Sequence, residues 1–179
     1  MNRSWTICVA VGVTAVVAAC ASTHRPVPAS STTTARPQVR VPDPVKVPAG
    51  NQLAGSFAGR GQQIYRCTDG AWTLVQPAAI ITDNGSPIAV HSQGPVWIST
   101  IDGSEVAAAP VPHAVVTHDD AIPELLLKAT ENHGSGRFGA ITYVQRLATT
   151  GGMAPPGGCT NGAWIGIPYS ASYLFYTAG

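Results

Sequence analysis

From Leu53 to the C-terminus, short β-prone runs alternate with turn signals, a rhythm typical of antiparallel sandwiches and barrels. The runs predict strands at 62–67, 71–76, 79–82, 87–91, 96–101, 104–109, 138–146 and 170–176. Asp69-Gly70, Asp83-Asn84-Gly85-Ser86, Asp102-Gly103 and Asn161-Gly162 punctuate them. Asn, Asp and Gly tolerate the positive φ that tight hairpin turns need. One segment breaks the rhythm. Residues 121–131 predict a helix, with Asp120 to cap its first amides and Pro123 in the first turn, where no N–H donor is required. Leu125, Leu126 and Leu127 supply its apolar face. The expected fold is all-β: a single antiparallel sandwich or barrel-like domain over 53–179, with this one short helix on an end or edge.

The residues before Leu53 follow other patterns. Arg3 precedes an apolar stretch from Trp5 to Ala19, broken only by Thr6, Gly12 and Thr14. It is short for a membrane span, which takes about 20 residues, and suits the apolar region of a signal peptide. Val17-Ala18-Ala19-Cys20 resembles the bacterial lipobox, which implies removal of residues 1–19 and a diacylglycerol on the Cys20 thiol. At about 0.8 kcal/mol per buried methylene, two or three acyl chains hold a protein firmly. Residues 20–52 contain six prolines, many Ser and Thr and few large apolar side chains, and predict a disordered tether. Arg25, Arg36, Arg40 and Lys46 outweigh Asp43, so this spacer is basic. The expected address is extracytoplasmic, lipid-anchored to the cell membrane, or to an outer membrane where one exists.

Charge and cysteines narrow the class. The segment 53–179 carries five basic and eight acidic residues, with no basic patch to suit nucleic acid. Cys8 lies in the signal segment and Cys20 takes the lipid, which leaves Cys67 and Cys159 as a disulfide in an oxidising compartment. Closing a loop of that length contributes roughly 4–5 kcal/mol in the chain-entropy model. Cys67-Thr68-Asp69-Gly70-Ala71-Trp72 and Cys159-Thr160-Asn161-Gly162-Ala163-Trp164 are nearly one hexapeptide, and predict two hairpins with a cysteine before each turn and a tryptophan after it.

Chemistry-bearing residues are few. His91, Trp97 and Asp102 form the first candidate site: a hairpin around residues 92–95 would bring His91 and Trp97 together, with Asp102 opening the next turn. A histidine and a carboxylate could do acid–base work or bind a metal; otherwise His91 is a hydrogen-bonded, half-buried residue and Trp97 is core. Arg146 is a charge within an apolar strand, so it pairs with Asp102 or Glu105 or captures an anionic ligand. His113, His118, Asp119 and Asp120 match no zinc spacing, and no serine has a nucleophile-elbow setting. Tyr169, Tyr173 and Tyr176 are expected to close the core rather than stack on sugars.

Six stretches taken in order resemble the bacterial and fungal domain-of-unknown-function family numbered 3455, over about residues 57–177. They are 61–67; His91 with Gly94-Pro95-Val96-Trp97; 102–106; 122–127; 145–152 with Ala154-Pro155; and 168–176. Glu124 stands where the family pattern carries an aromatic, and Ser172 where it carries an aspartate. The resemblance implies an exported domain without an established activity. Some relatives bear a dehydrogenase label, yet Gly134-Ser135-Gly136-Arg137-Phe138-Gly139 is no dinucleotide loop. Such a loop follows a strand and opens a helix, with an acid about 20 residues later; here the expected order is helix, glycines, strand, and no Asp or Glu follows Glu131. The chain therefore reads as a membrane-anchored cell-envelope lipoprotein, a binding or structural module rather than an enzyme. Its expected partners are the membrane, through Cys20, and a cell-envelope polymer or small ligand; no cofactor and no metal are expected. The alternative is an extracytoplasmic hydrolase or metal-assisted enzyme centred on His91 and Asp102. The Cys20→Ala variant is expected to appear in the medium or as unprocessed precursor on fractionation; unchanged membrane retention would refute the anchor.

Overall fold

A computed structural model describes residues 39–179. The expected signal segment, Cys20 and the tether up to residue 38 lie outside the described residues. Eight strands follow in order: β1 (Asn51–Thr68), β2 (Ala71–Asp83), β3 (Ser86–Ser92), β4 (Val96–Ser99), β5 (Glu105–Val116), β6 (Glu124–His133), β7 (Ile141–Gly151) and β8 (Trp164–Ala178). Each pairs antiparallel with the next, and β8 returns to β1 to close a barrel. The all-β expectation holds, in its barrel form. Asp69-Gly70 and Asn84-Gly85 have positive φ at both positions and make the β1–β2 and β2–β3 turns, as their residue types predict.

Alternation sorts side chains between lumen and surface. Phe57, Gly59, Gln63, Tyr65 and Cys67 of β1 are buried, as are Tyr169, Ala171, Tyr173 and Phe175 of β8, while most intervening residues are more exposed. Small residues make room for large ones across the lumen: a Cβ at Gly59 would stand 2.5 Å from the Tyr173 ring. One end is filled by aromatic packing. The ring centroids of Phe138 and Phe175 are 4.8 Å apart, and those of Phe57 and Trp97 each lie 5.8 Å from Phe175. Phe138 belongs to the β6–β7 loop and not to a strand as expected; fully buried, it plugs this end.

The expected helix at 121–131 is a strand instead. From Glu124 onward this segment is β6, paired with β5 and β7. Leu127 joins the lumen core with Leu125 packed against it, whereas Leu126 lies in a second apolar cluster outside the barrel. A strand covered on both faces reads as a continuous apolar run, which periodicity does not distinguish from a buried helix.

The covering on that outer face is the C-terminal part of the expected tether. Val45 is fully buried, and with Val39, Val41 and Val47 it packs against Ala114, Leu126, Leu147 and Leu174. Gln145 Nε2 donates to the Val45 carbonyl at 2.5 Å, and its Oε1 accepts from Tyr176 Oη at 2.7 Å. The structured body thus begins by Val39, ahead of the expected boundary at Leu53. This strap has a direction. Val39 and Arg40 lie beside Val116, His118 and Glu124, where β5 passes to β6, and Gly50 meets Gly179 at the other end of the barrel.

Cys67 and Cys159 form the expected disulfide, with Cα atoms 5.8 Å apart and a sequence separation of 92. Only the first hexapeptide makes a hairpin. The second is a turn within the β7–β8 loop, closed by Ala163 N–H to the Thr160 carbonyl at 3.0 Å, with positive φ at Gly162 but not at Asn161. Asn161 instead accepts from Gly70 N–H at 2.9 Å, tying the two turns together. For the strap, Val45→Ala is expected to cost about 2 kcal/mol in urea unfolding, whereas exposed Lys46→Ala should cost under about 0.5. Equal, small effects of both would show that the strap adds nothing to stability.

Candidate functional site

A cavity of about 460 Å³ opens at the end of the barrel opposite the aromatic plug. Its floor is buried and comes from four strands: Gln63 of β1, His91 of β3, Trp97 of β4 and Tyr173 of β8. Half-buried Arg146 of β7 and Leu125 of β6 stand higher on the wall; Gln93, Gly94 and Pro110 form the exposed rim. The volume lies within the range of small-molecule sites, and the lining is mostly apolar with a few polar groups.

Sequence correctly pairs His91 with Trp97. They face each other across β3 and β4, and their rings stack at 4.2 Å, 3° from parallel. Tyr173 meets both rings edge-on. The His91 Nδ1 lies 2.8 Å from the Val96 carbonyl. A carbonyl only accepts, so Nδ1 carries the proton and Nε2 presents a bare lone pair. Burial, aided by the Arg146 charge and opposed by the Val96 bond, lowers the His91 pKa from 6.5 to about 4. The ring is neutral at physiological pH and a weak base.

Among the described residues Arg146 pairs with no carboxylate, contrary to the expected ion pair with Asp102 or Glu105. Its Nε and Nη2 donate to the Pro123 carbonyl at 3.1 and 2.9 Å, which leaves the charge un-neutralised on the cavity wall. The same guanidinium lines the cavity with Tyr173, its neighbour across β7 and β8, whose hydroxyl lies 3.1 Å from that of Tyr169. Burial raises the pKa of both tyrosines, and the Arg146 charge opposes that rise. Two further donors, Gln63 Nε2 and Trp97 Nε1, are buried without an acceptor on the protein. An unmade hydrogen bond of this kind costs about 1–3 kcal/mol. Sequence reasoning missed Gln63; the only signal was its alternation in β1 with the buried residues Phe57, Tyr65 and Cys67.

Asp102 is not part of this constellation. It sits in the β4–β5 turn, at the far end of β4 from the cavity rim. Its carboxylate accepts from Ser104 Oγ at 2.5 Å, Ser104 N–H at 2.9 Å and Arg137 N–H at 3.0 Å. The Ser104 hydroxyl first, then the Arg137 and Ser104 backbone amides, hold it well below the usual carboxylate range. Its work is to pin the glycine loop before β7: Ser104 Oγ in turn accepts from Phe138 N–H at 2.9 Å. That loop joins two strands rather than a helix and a strand. His113 lies exposed at positive φ within β5, and His118 Nε2 is 3.8 Å from Glu124, so the other polar cluster does not gather either. Glu124 is buried and accepts from Ala148 N–H at 2.7 Å. Tyr169 and Tyr173 close the lumen as expected, whereas Tyr176 points outward beneath the strap.

Fold and site together define a closed, eight-stranded antiparallel barrel with one end plugged and the other hollowed around a cation and a neutral histidine. The family model described as "Protein of unknown function (DUF3455)" matches residues 82–177, over half of the chain, and the chain belongs to this family. No curated protein and no solved structure is matched.

The His91 environment has a signature in pH. Its folded pKa of about 4 lies below the ordinary 6.5, so the unfolded chain binds the proton first as pH falls. Stability from this residue is complete above pH 6.5, falls between 6.5 and about 4, and levels off below. The loss across that window is about 3 kcal/mol. Urea titrations should show this slope in the wild type and a clearly shallower one in His91→Phe; equal slopes would refute the assignment.

Proposed function

We propose that the chain is an extracytoplasmic binding protein, held to a membrane by lipid on Cys20, whose barrel keeps a small ligand in its hollow end. One observation carries the reading: a cavity of about 460 Å³ walled by apolar side chains, with an un-neutralised arginine in its wall and two floor residues, Gln63 and Trp97, whose side-chain N–H groups are buried without an acceptor. Such groups are costly in an empty protein and useful in a loaded one. The disulfide suits an oxidising compartment, and the lipobox-like segment supplies the address.

The hydrolytic or metal-assisted alternative centred on His91 and Asp102 draws less support. His91 sits in β3 beside the start of β4 and Asp102 in the turn beyond its end, and a histidine titrating at about 4 is a poor general base near neutrality.

Native mass spectrometry of the protein extracted from its host membrane tests the reading. A noncovalent adduct is expected that leaves on denaturation and is reduced in Leu125→Trp, whose larger ring intrudes on the cavity. Identical spectra for the two proteins would count against a ligand in the lumen.

A further inference from the structure

The un-neutralised Arg146, the partnerless donors and the apolar wall together restrict what the cavity can hold. We infer that its ligand is a small carboxylic acid with an apolar body, its carboxylate seated on Arg146 and the amide and indole N–H groups of Gln63 and Trp97. The inference rests on reading the barrel as a binding module and names the chemistry of its ligand.

The donors all belong to the cavity lining. Arg146 uses two of its five N–H groups on the Pro123 carbonyl, which leaves three; its planar fork fits a carboxylate in two-point fashion. Gln63 Nε2 and Trp97 Nε1 are buried and lack acceptors, and a carboxylate's two oxygens, with about four lone-pair sites, can serve several donors at once. Among the described residues no acidic side chain lines the cavity, so none of them competes with a carboxylate for Arg146. Fully hydrated anions are disfavoured by the remaining wall, where Leu125, Leu127, Pro95 and the Trp97 face offer only apolar contact. The neutral His91 adds no positive charge beside Arg146, and its bare Nε2 lone pair can accept from a hydroxyl on the ligand body.

Titration calorimetry of the purified full-length protein with benzoate, benzyl alcohol and inorganic phosphate tests this. Benzoate is expected to bind, with benzyl alcohol at least tenfold weaker and phosphate unable to displace benzoate at equal concentration. Arg146→Gln should weaken benzoate tenfold or more and leave benzyl alcohol unchanged. Because Arg146 also holds the β5–β6 connection through Pro123, Gln63→Leu provides a second arm. It removes a partnerless buried donor, so its melting temperature should hold or rise while benzoate affinity falls several-fold. A structural role alone would not move affinity in that direction. Equal binding of benzoate and benzyl alcohol, or unchanged benzoate affinity in both variants, overturns the carboxylate and leaves the binding module standing. Displacement by phosphate overturns the apolar body. Binding of no probe overturns the carboxylate, whereas an adduct seen by mass spectrometry in that case would preserve the broader reading.

Discussion

Strands β1 and β8 pair from Asn51↔Ala178 to Arg66↔Trp164, and on this seam the rest of the molecule depends. It joins the first and last strands of the sheet and removes the exposed edges that an open eight-stranded sheet would present. Beyond Trp164 the seam continues as backbone hydrogen bonds, Cys67 N–H to Ala163 and Gly162 N–H to Cys67, and then becomes covalent at Cys67–Cys159. Closure also fixes which residues share the lumen, because a one-residue slip would turn Gln63, Tyr169 and Tyr173 to solvent.

Along the barrel axis, polarity changes in steps. Phe57, Phe138 and Phe175 form a dry base; the stacked His91–Trp97 pair lies above it with Tyr173 and Gln63; half-buried Arg146 stands in the wall of the open end. The base permits no hydrogen bonding, so polar groups gather where water or a ligand can reach them. Within this gradient His91 stays uncharged, and the guanidinium of Arg146 stands half-buried in the cavity wall. One dominant cation in an apolar surrounding sets the electrostatic character of the whole lumen.

Most strands were legible because turn chemistry marks their ends: Asp69-Gly70 and Asn84-Gly85 need the positive φ that their residues tolerate. The His91–Trp97 contact followed from the short turn between their strands. What failed shares a cause, since each failure depended on long-range coverage. Leu125-Leu126-Leu127 reads as a helix face until the strap is known to cover Leu126. The strap itself hides as a proline-rich spacer, although Val39, Val41, Val45 and Val47 carry the spacing of a packed extended chain. Asp102 looked like a partner for His91 because the two are near in sequence, yet one short strand places them at opposite ends. Arg146 satisfies two of its donors on the Pro123 carbonyl, a partner that side-chain patterns never reveal.

The direction of the strap has a geometric consequence for an anchored chain. Polypeptide enters the barrel at Val39, beside the β5–β6 connection and therefore on the side of the hollow end. In the proposed lipoprotein, the eighteen residues 21–38 that follow Cys20 can span at most about 65 Å. Val39 thus lies on the rim side and not at the base, so under the proposed anchoring a taut chain would turn the opening back toward the bilayer. Solutes arriving from the lipid surface would then meet the entrance directly, and those from the far side would have to travel around the wall.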